Sequence, residues 1–214
     1  MKPLYKHIIW DWNGTLFDDA WLCVEIMNNT LKKRNMPLLT RERYQEILDF
    51  PIINYYRRLG FDFEIEPFEQ VATEFINEYY QRWPECALFP EAEEVLRTIA
   101  GMGRTQSILS AAPQDYLEQA ARHFKIDRCF NQISGLEDHY AEGKMENGRK
   151  MVAASGLTAR EILLVGDTGH DYDVAQAIGA DCALIPGGHS SGARLASCGC
   201  MLAGSLREVL ELLM

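Results

Sequence analysis

The 214-residue chain sets 21 lysines and arginines against 31 aspartates and glutamates, a formal net charge of −10, in a composition that is 47% hydrophobic and 24% charged. That balance excludes a disordered chain and suits one good-sized core, or a core with a small insert. It also argues against nucleic acid or a membrane surface as a partner, because an acidic surface repels both, and an anionic substrate would need a local cluster of cations.

No apolar run is long enough to cross a bilayer. The segment from Met1 to His7 lacks the apolar stretch and small-residue cleavage site of a signal peptide, so a cytoplasmic location and six reduced cysteines are expected. Cys23, Cys86, Cys129 and Cys182 stand alone. Cys198 and Cys200 form a C-x-C without a second pair or a nearby histidine to complete a zinc site, so all six read as structural.

In chain order, His7–Trp10 is a short apolar run before a polar, glycine-containing stretch, which reads as a buried strand ending in a loop. From Asp18 to Arg82 the pattern is helical, with no strand. Helices are expected over Ala20–Arg34, over Arg41–Phe50 with Thr40 as cap and Pro51 as stop, over Ile52–Leu59 with Gly60 at the C-terminal turn, and over Pro67–Arg82. Beyond Pro84 and Pro90 the texture changes. Helices over Glu91–Met102, Gln114–Phe124, Lys144–Ser155, Tyr172–Ile178 and Leu206–Leu213 alternate with strands over Thr105–Leu109, Gln132–Ser134, Ile162–Val165 and Cys182–Ile185. Ser205 and Glu208 have the spacing of a capping box for the last helix. Such alternation means a parallel sheet covered on both faces. The expected fold is α/β: a Rossmann-like three-layer core from residues 1–17 and 84–214, interrupted after the first strand by a small all-helical cap over residues 18–83.

Ligands of open α/β sheets bind beyond the carboxyl ends of the strands. There the sequence places Asp11-Trp12-Asn13-Gly14-Thr15 after the first strand, Ser110-Ala111-Ala112 after Thr105–Leu109, and Gly166-Asp167-Thr168-Gly169-His170-Asp171 after Ile162–Val165. Three such loops can bring carboxylates, a hydroxyl and flexible glycines to one edge.

These residues carry a resemblance. DWNGTLFD, with Asp11 directly after an apolar strand, resembles the first motif of the haloacid dehalogenase superfamily, usually written DxDGT. Ser110 resembles the second motif, Lys144 the lysine of the third, and VGDTGHD with Asp167 and Asp171 the acidic fourth. Order and spacing match over nearly the whole chain, and the helical insert looks like the superfamily's small cap; the chain is similar to phosphoglycolate-phosphatase-like members. The resemblance implies a Mg²⁺-dependent phosphatase acting on a small phosphorylated metabolite, as a monomer or small homo-oligomer. Asp11 would be the nucleophile, forming an aspartyl phosphate that divides a hard hydrolysis into two easier steps. Asp11, Asp167 and the backbone carbonyl of Asn13 would supply oxygens to the metal, and Asp171 either ligates directly or orients a metal-bound water. Lys144 would neutralise charge on the phosphoryl group and on Asp11, while Ser110, Thr15 and the amides near Trp12 and Ala111 would bind the transferring group and Gly14 would let the backbone approach.

Blander readings compete at several positions. Ser110 could merely cap the helix from Gln114. The usual Lys-Pro pairing is absent, since Met145 follows Lys144, and Lys150 is a rival; Lys144 is preferred as the nearer to the sheet edge. Trp12 reads as a packing residue. His139, His170 and His189 invite a metal reading, but no two share helical ligand spacing and Mg²⁺ does not favour imidazole. In Tyr55-Tyr56-Arg57-Arg58 the arginines either face solvent or supply a substrate cation from Arg57 or Arg58.

The main departure from the family pattern is Asn13, where an acid–base aspartate is usual, because an amide does not titrate near neutral pH. Two alternatives follow. One is a different hydrolase of the superfamily, a dehalogenase or phosphonatase; the other is a phosphate-binding protein with little turnover. A dehalogenase has no need of the acidic fourth motif, and a phosphonatase needs a cap lysine, for which only Lys32 and Lys33 are available. If turnover is retained, either His170 or a cap residue replaces the acid, or the enzyme favours good leaving groups.

Overall fold

The computed structural model describes residues 5–136 and 142–214. His139 lies outside that range. Its centre is β1 (His7–Trp10), buried along its whole length, which pairs in parallel with β4 (Thr105–Pro113) on one side and β6 (Ile162–Gly166) on the other; His7 aligns with both Thr105 and Ile162. Beyond β4 lies β5 (Gln132–Leu136), and beyond β6 lie β7 (Asp181–Leu184) and β8 (Met201–Leu202). The sheet thus reads β5-β4-β1-β6-β7-β8, with every pair parallel.

Period-two alternation sorts the side chains to two faces. Ile8, Trp10, Leu163 and Val165 join one core with α5 (Ala92–Gly101), α6 (Gln114–His123) and α10 (Leu206–Leu213). Ile9, Ile162 and Leu164 join the other with α7 (Glu142–Ser155) and α8 (Gly169–Ile178). The expected three-layer α/β fold is therefore the observed one. Chain order reverses across β1, so the loops after β1, β4 and β6 open into one crevice.

After β1, the two-residue strand β2 (Phe17–Asp18) pairs antiparallel with β3 (Ala87–Leu88). This ribbon draws together the ends of a helical insertion made of α1 (Ala20–Lys33), α2 (Arg41–Ile47), α3 (Ile53–Leu59) and α4 (Phe68–Arg82). Ile26, Met27, Tyr55 and Val71 of the insertion belong to the same apolar core as the α5–α6 face of the sheet. Among the described residues no helix is long and apolar enough to cross a membrane.

Several boundaries differ from expectation. The ribbon places a strand residue, Asp18, at the start of a stretch read as wholly helical. Helix α2 stops at Ile47 rather than Phe50, where the Leu48 backbone turns extended and Arg194 takes the carbonyls of Gln45 and Leu48. The strand β4 runs on to Pro113 through a shift of register after Leu109. Thr40 caps α2 by accepting from the Arg43 amide, and Gly60 ends α3 at φ +98°, both as expected. Ser205 caps α10, but the Glu208 carboxylate accepts from the Gly204 amide rather than closing a box on Ser205.

Candidate active site

The loop after β1 turns tightly: the Trp12 carbonyl accepts the amides of Thr15, Leu16 and Phe17. Gly14 sits at φ +74°, where a Cβ would meet Asp167 Oδ2 at 2.2 Å. A Cβ on Gly188 would meet the same oxygen at 2.1 Å. The backbone is thus packed onto the Asp167 carboxylate from two sides, and only glycine fits. Trp12 turns its indole away from this loop. The ring is fully buried, stacks on Phe17 at 5.3 Å and bonds to the Tyr116 hydroxyl, leaving only its backbone toward the site.

Asp11 ends buried in an ion-paired cluster. Lys144, from the first turns of α7, donates to Asp11 Oδ1 at 2.5 Å and to Asp171 Oδ1 at 2.7 Å. Lys150 points away, 69% exposed beside Glu146, so geometry separates the two lysines. Asp171 caps α8: its Oδ2 accepts from the backbone and hydroxyl of Thr168, whose own hydroxyl accepts from the Asp171 amide. Both Asp171 oxygens therefore already hold protein donors. Thr15 Oγ1 lies between Asp11 and Asp167, 3.4 and 3.3 Å from their oxygens. Ser110 is buried, and its hydroxyl accepts from the Ala112 amide at 3.1 Å; it does not cap α6, whose N-cap is Pro113.

Asp11, Asp167 and Asp171 each offer an oxygen within 4.8 Å of the others. Burial and the charge of Asp171 push Asp11 up to about 6 against the pull of Lys144. Burial, with Asp11 and Asp171 nearby, pushes Asp167 up to about 8 despite His189. Burial also opposes the charge on Asp171, but Lys144 and Thr168 hold its pKa low; Lys144 is raised in turn by its two carboxylates. Carboxylates that resist ionisation for want of positive charge, with an all-oxygen donor set, fit a hard divalent cation.

A second buried network adjoins the first, and neither composition nor motif pointed to it. Asn13 Nδ2 donates to Asp19 Oδ2 and to the Tyr79 hydroxyl, both at 2.7 Å. Tyr79, on α4, donates to the same Asp19 oxygen. Asp19 Oδ1 accepts from the Gly14 amide and lies 3.2 Å from His189 Nε2, while His189 Nδ1 bonds to the Tyr44 hydroxyl on α2 at 2.7 Å. The His189 amide donates to Asp167. Burial works against a charge on His189, but Asp19 above all, then Asp167 and Asp11, push it up to about 9. The Asp19 carboxylate, though buried, is held below its usual range by His189, Tyr79 and Asn13. Among these residues, sequence alone singles out Asn13, from its motif, and His189, as a candidate metal ligand. For Asp19 the signal in the sequence is its place directly after the motif DWNGTLFD, next to Asp18.

Both networks line one cavity of about 330 Å³, with Asp11, Asn13, Ser110, Ala111, Lys144, Asp167, Asp171 and His170 on its wall. Arg57 is not among the lining residues. It is exposed, its guanidinium 6.0 Å from the Phe63 ring, and Arg58 is taken by Asp49 and the Ile47 carbonyl. The substrate cation expected from this pair is therefore not delivered to the cavity: the bulk of α3 that faces inward is Tyr55 and Tyr56.

Residues 8–185 match the model of the haloacid dehalogenase-like hydrolases. The chain belongs to this family. A 5′-nucleotidase of Pseudomonas aeruginosa is 28% identical across 97% of this chain and 96% of its own, and a phosphoglycolate phosphatase of Pseudomonas savastanoi pv. phaseolicola is 23% identical across 90% and 74%. A haloacid dehalogenase-like hydrolase of Streptococcus pneumoniae superposes with a TM-score of 0.83 at 19% identity, covering 98% of this chain and 99% of that one. Family membership and these relatives bear out the expected class, a hydrolase of the phosphatase type, and the fold of its core.

Proposed function

We propose that this member of the haloacid dehalogenase-like hydrolases cleaves a small phosphate monoester through an aspartyl phosphate on Asp11, with Mg²⁺ bound. The observation that supports this best is the buried contact of Lys144 with both Asp11 and Asp171, beside Asp167. Asp11, Asp167 and the Asn13 carbonyl would hold the metal, which when bound offsets charge between carboxylate and phosphate and so lets two anions meet. Asp171 is assigned the task of holding Lys144 and the start of α8, since its oxygens are already engaged.

Asp11 attacks phosphorus through a carboxylate oxygen while Lys144 neutralises the cluster. The P–O bond to the leaving group breaks, and the leaving oxygen takes its proton from solvent water. Water then attacks the phosphorus of the acyl phosphate, releasing phosphate and restoring Asp11. Ser110 and the amide of Ala111, both on the cavity wall, would donate to phosphoryl oxygens. Asn13 commits its amide hydrogens to Asp19 and Tyr79, so residue 13 itself supplies no proton to the leaving group. That observation sustains a second reading, a phosphate-binding protein with slow turnover.

The relatives' names suggest two substrates, a 5′-nucleotide and phosphoglycolate. The test is phosphate release from an activated aryl phosphate with Mg²⁺, with rapid-quench detection of the acyl phosphate. Asp11→Asn is expected to lower turnover by more than about a hundredfold and to abolish the label, because an amide cannot attack phosphorus. Labelling that survives in Asp11→Asn, or undiminished activity after exhaustive chelation, would refute the mechanism.

A further inference from the structure

Among the described residues few large hydrophobic side chains are exposed, and four of them share one place. Phe50, Ile52, Ile76 and Tyr80 are between 36% and 38% exposed, and all four line the cavity that contains Asp11. They come from distant parts of the chain: Phe50 and Ile52 from the segment between α2 and α3, Ile76 and Tyr80 from one face of α4 at helical spacing. The Tyr80 ring lies 5.4 Å from that of Tyr116 on α6, and Phe50 packs 5.0 Å from His170. Large apolar groups left open to solvent around a polar floor mark a place where an apolar ligand group is received.

Charge points the same way. Among the described residues, the only basic side chains lining the cavity are Lys144, His170 and His189. Lys144 is held by Asp11 and Asp171, and His189 by Asp19. None of the insertion's six arginines lines the cavity: Arg34 pairs with Glu66 and Glu74, Arg43 with Glu46, Arg58 with Asp49, and Arg82 with Glu25, Glu78 and Glu85, while Arg41 reaches the Gly187 carbonyl and Arg57 is exposed outside the cavity. A substrate with a second anion beyond its phosphate, such as a carboxylate, would find no free lysine or arginine on the cavity wall, only the His170 ring beside Phe50, whose Nε2 is buried without a hydrogen-bond partner, and burying a charge against so little compensation is costly.

We propose that the substrate joins its phosphate to a flat, uncharged aromatic group, an aryl ring or a nucleobase, received between Tyr80 and Tyr116 on one side and Phe50 and Ile52 on the other. This rests on the reading of the site as a phosphomonoester site. It disfavours phosphoglycolate, the substrate named by the more distant of the two curated relatives above. Stacking of a ring on an aromatic side chain gives selectivity through its face rather than through charge.

The test uses non-hydrolysable phosphonates, so that it does not depend on turnover. Calorimetric titration of the full chain with Mg²⁺ present compares benzylphosphonate, ethylphosphonate and phosphonoacetate. Benzylphosphonate is expected to bind at least about tenfold more tightly than phosphonoacetate. Tyr80→Ala should weaken benzylphosphonate by about tenfold while changing ethylphosphonate by less than about twofold. Ile76→Arg, which adds a cation at the rim, should strengthen phosphonoacetate and weaken benzylphosphonate. Phosphonoacetate binding as tightly as benzylphosphonate, or Tyr80→Ala weakening both small and aromatic probes alike, overturns the substrate class while leaving the phosphatase reading intact. If none of the three binds, the phosphate site itself falls, and both readings with it. Turnover of phenyl phosphate against a nucleoside 5′-monophosphate then tells the two aromatic sources apart: a higher kcat/KM for either upholds the class, and a rate for phosphoglycolate above both overturns it.

Discussion

Asn13 is where this chain departs from its family's pattern, and its contacts give a physical reason for an amide. The side chain sits 2.7 Å from Asp19 Oδ2, so an aspartate there would face a second carboxylate at hydrogen-bond distance. Two carboxyls that close share one proton, and one of them titrates high. In Asn13→Asp that shared proton becomes available to a leaving oxygen. The substitution is expected to raise the rate on an alkyl phosphate by up to about a hundredfold, the low end of general acid–base help, and to move an activated aryl phosphate much less. A brisk alkyl rate that falls in Asn13→Asp would mean that the existing network already supplies the proton. The same residues set a pH dependence. Asp167 is raised from 3.8 to about 8 and His189 from 6.5 to about 9, so the folded protein holds protons that the unfolded chain releases. The contribution of these two groups to the stability of the metal-free protein therefore falls as pH rises through those intervals. Mg²⁺ competes with protons for the carboxylates, so its stabilising effect should grow with pH. Thermal melts with Mg²⁺ or EDTA at pH 5.5, 7 and 8.5 (about the limits set by those pKa values) check this; an equal Mg²⁺ shift at all three would sink it.

At the scale of elements, legibility followed the length of the pattern. β1 is apolar from Ile8 to Trp10 and β6 from Ile162 to Val165, and α2 and α3 carry Thr40 and Gly60 at their ends, so each could be read from local chemistry. β2, β3 and β8 have two residues each and offer no period to read. Helix α8 begins at Gly169, three residues before the expected Tyr172, because Thr168 and Asp171 form a capping box there. One carboxylate does both jobs: Oδ2 caps the helix and Oδ1 holds Lys144. Thr168→Ala should therefore act twice. Loss of the cap costs about 1 kcal/mol, and a less constrained Asp171 loosens Lys144, lowering kcat with KM little changed. Melting temperature and steady-state kinetics together decide it; a stability loss with kcat unmoved would leave Thr168 a cap and nothing more.

At the scale of the molecule, the half of the site that comes from the sheet was legible and the half that comes from the insertion was not. Asp11, Ser110 and Asp167 stand in motifs at strand ends and Lys144 in the first turns of α7, and the sheet topology brings them together. Asp19, Tyr44, Tyr79 and His189 meet only because the insertion folds back, as with Tyr44 and His189, 145 positions apart. What holds it there is specific. Gln45 donates to the Gly188 carbonyl, Arg41 to that of Gly187, and Arg194, on the short helix α9 (Gly192–Ala196), reaches back to the carbonyls of Gln45 and Leu48. The Arg194 guanidinium is half-buried and satisfies the end of α2, where helix carbonyls otherwise lack partners. Charge-assisted bonds of this kind contribute about 1.5–3 kcal/mol. Arg194→Ala should lower stability by about that amount and free α2 from the loop that carries His189, which lies on the cavity wall beside Asp11. Because the phosphate floor does not involve Arg194, kcat for a small activated probe such as acetyl phosphate should hold, while KM for a substrate that fills the cavity rises several-fold. Equal KM changes for small and large substrates would show that the tether shapes the floor as well, and an unchanged KM for both would show that α2 keeps its place without it.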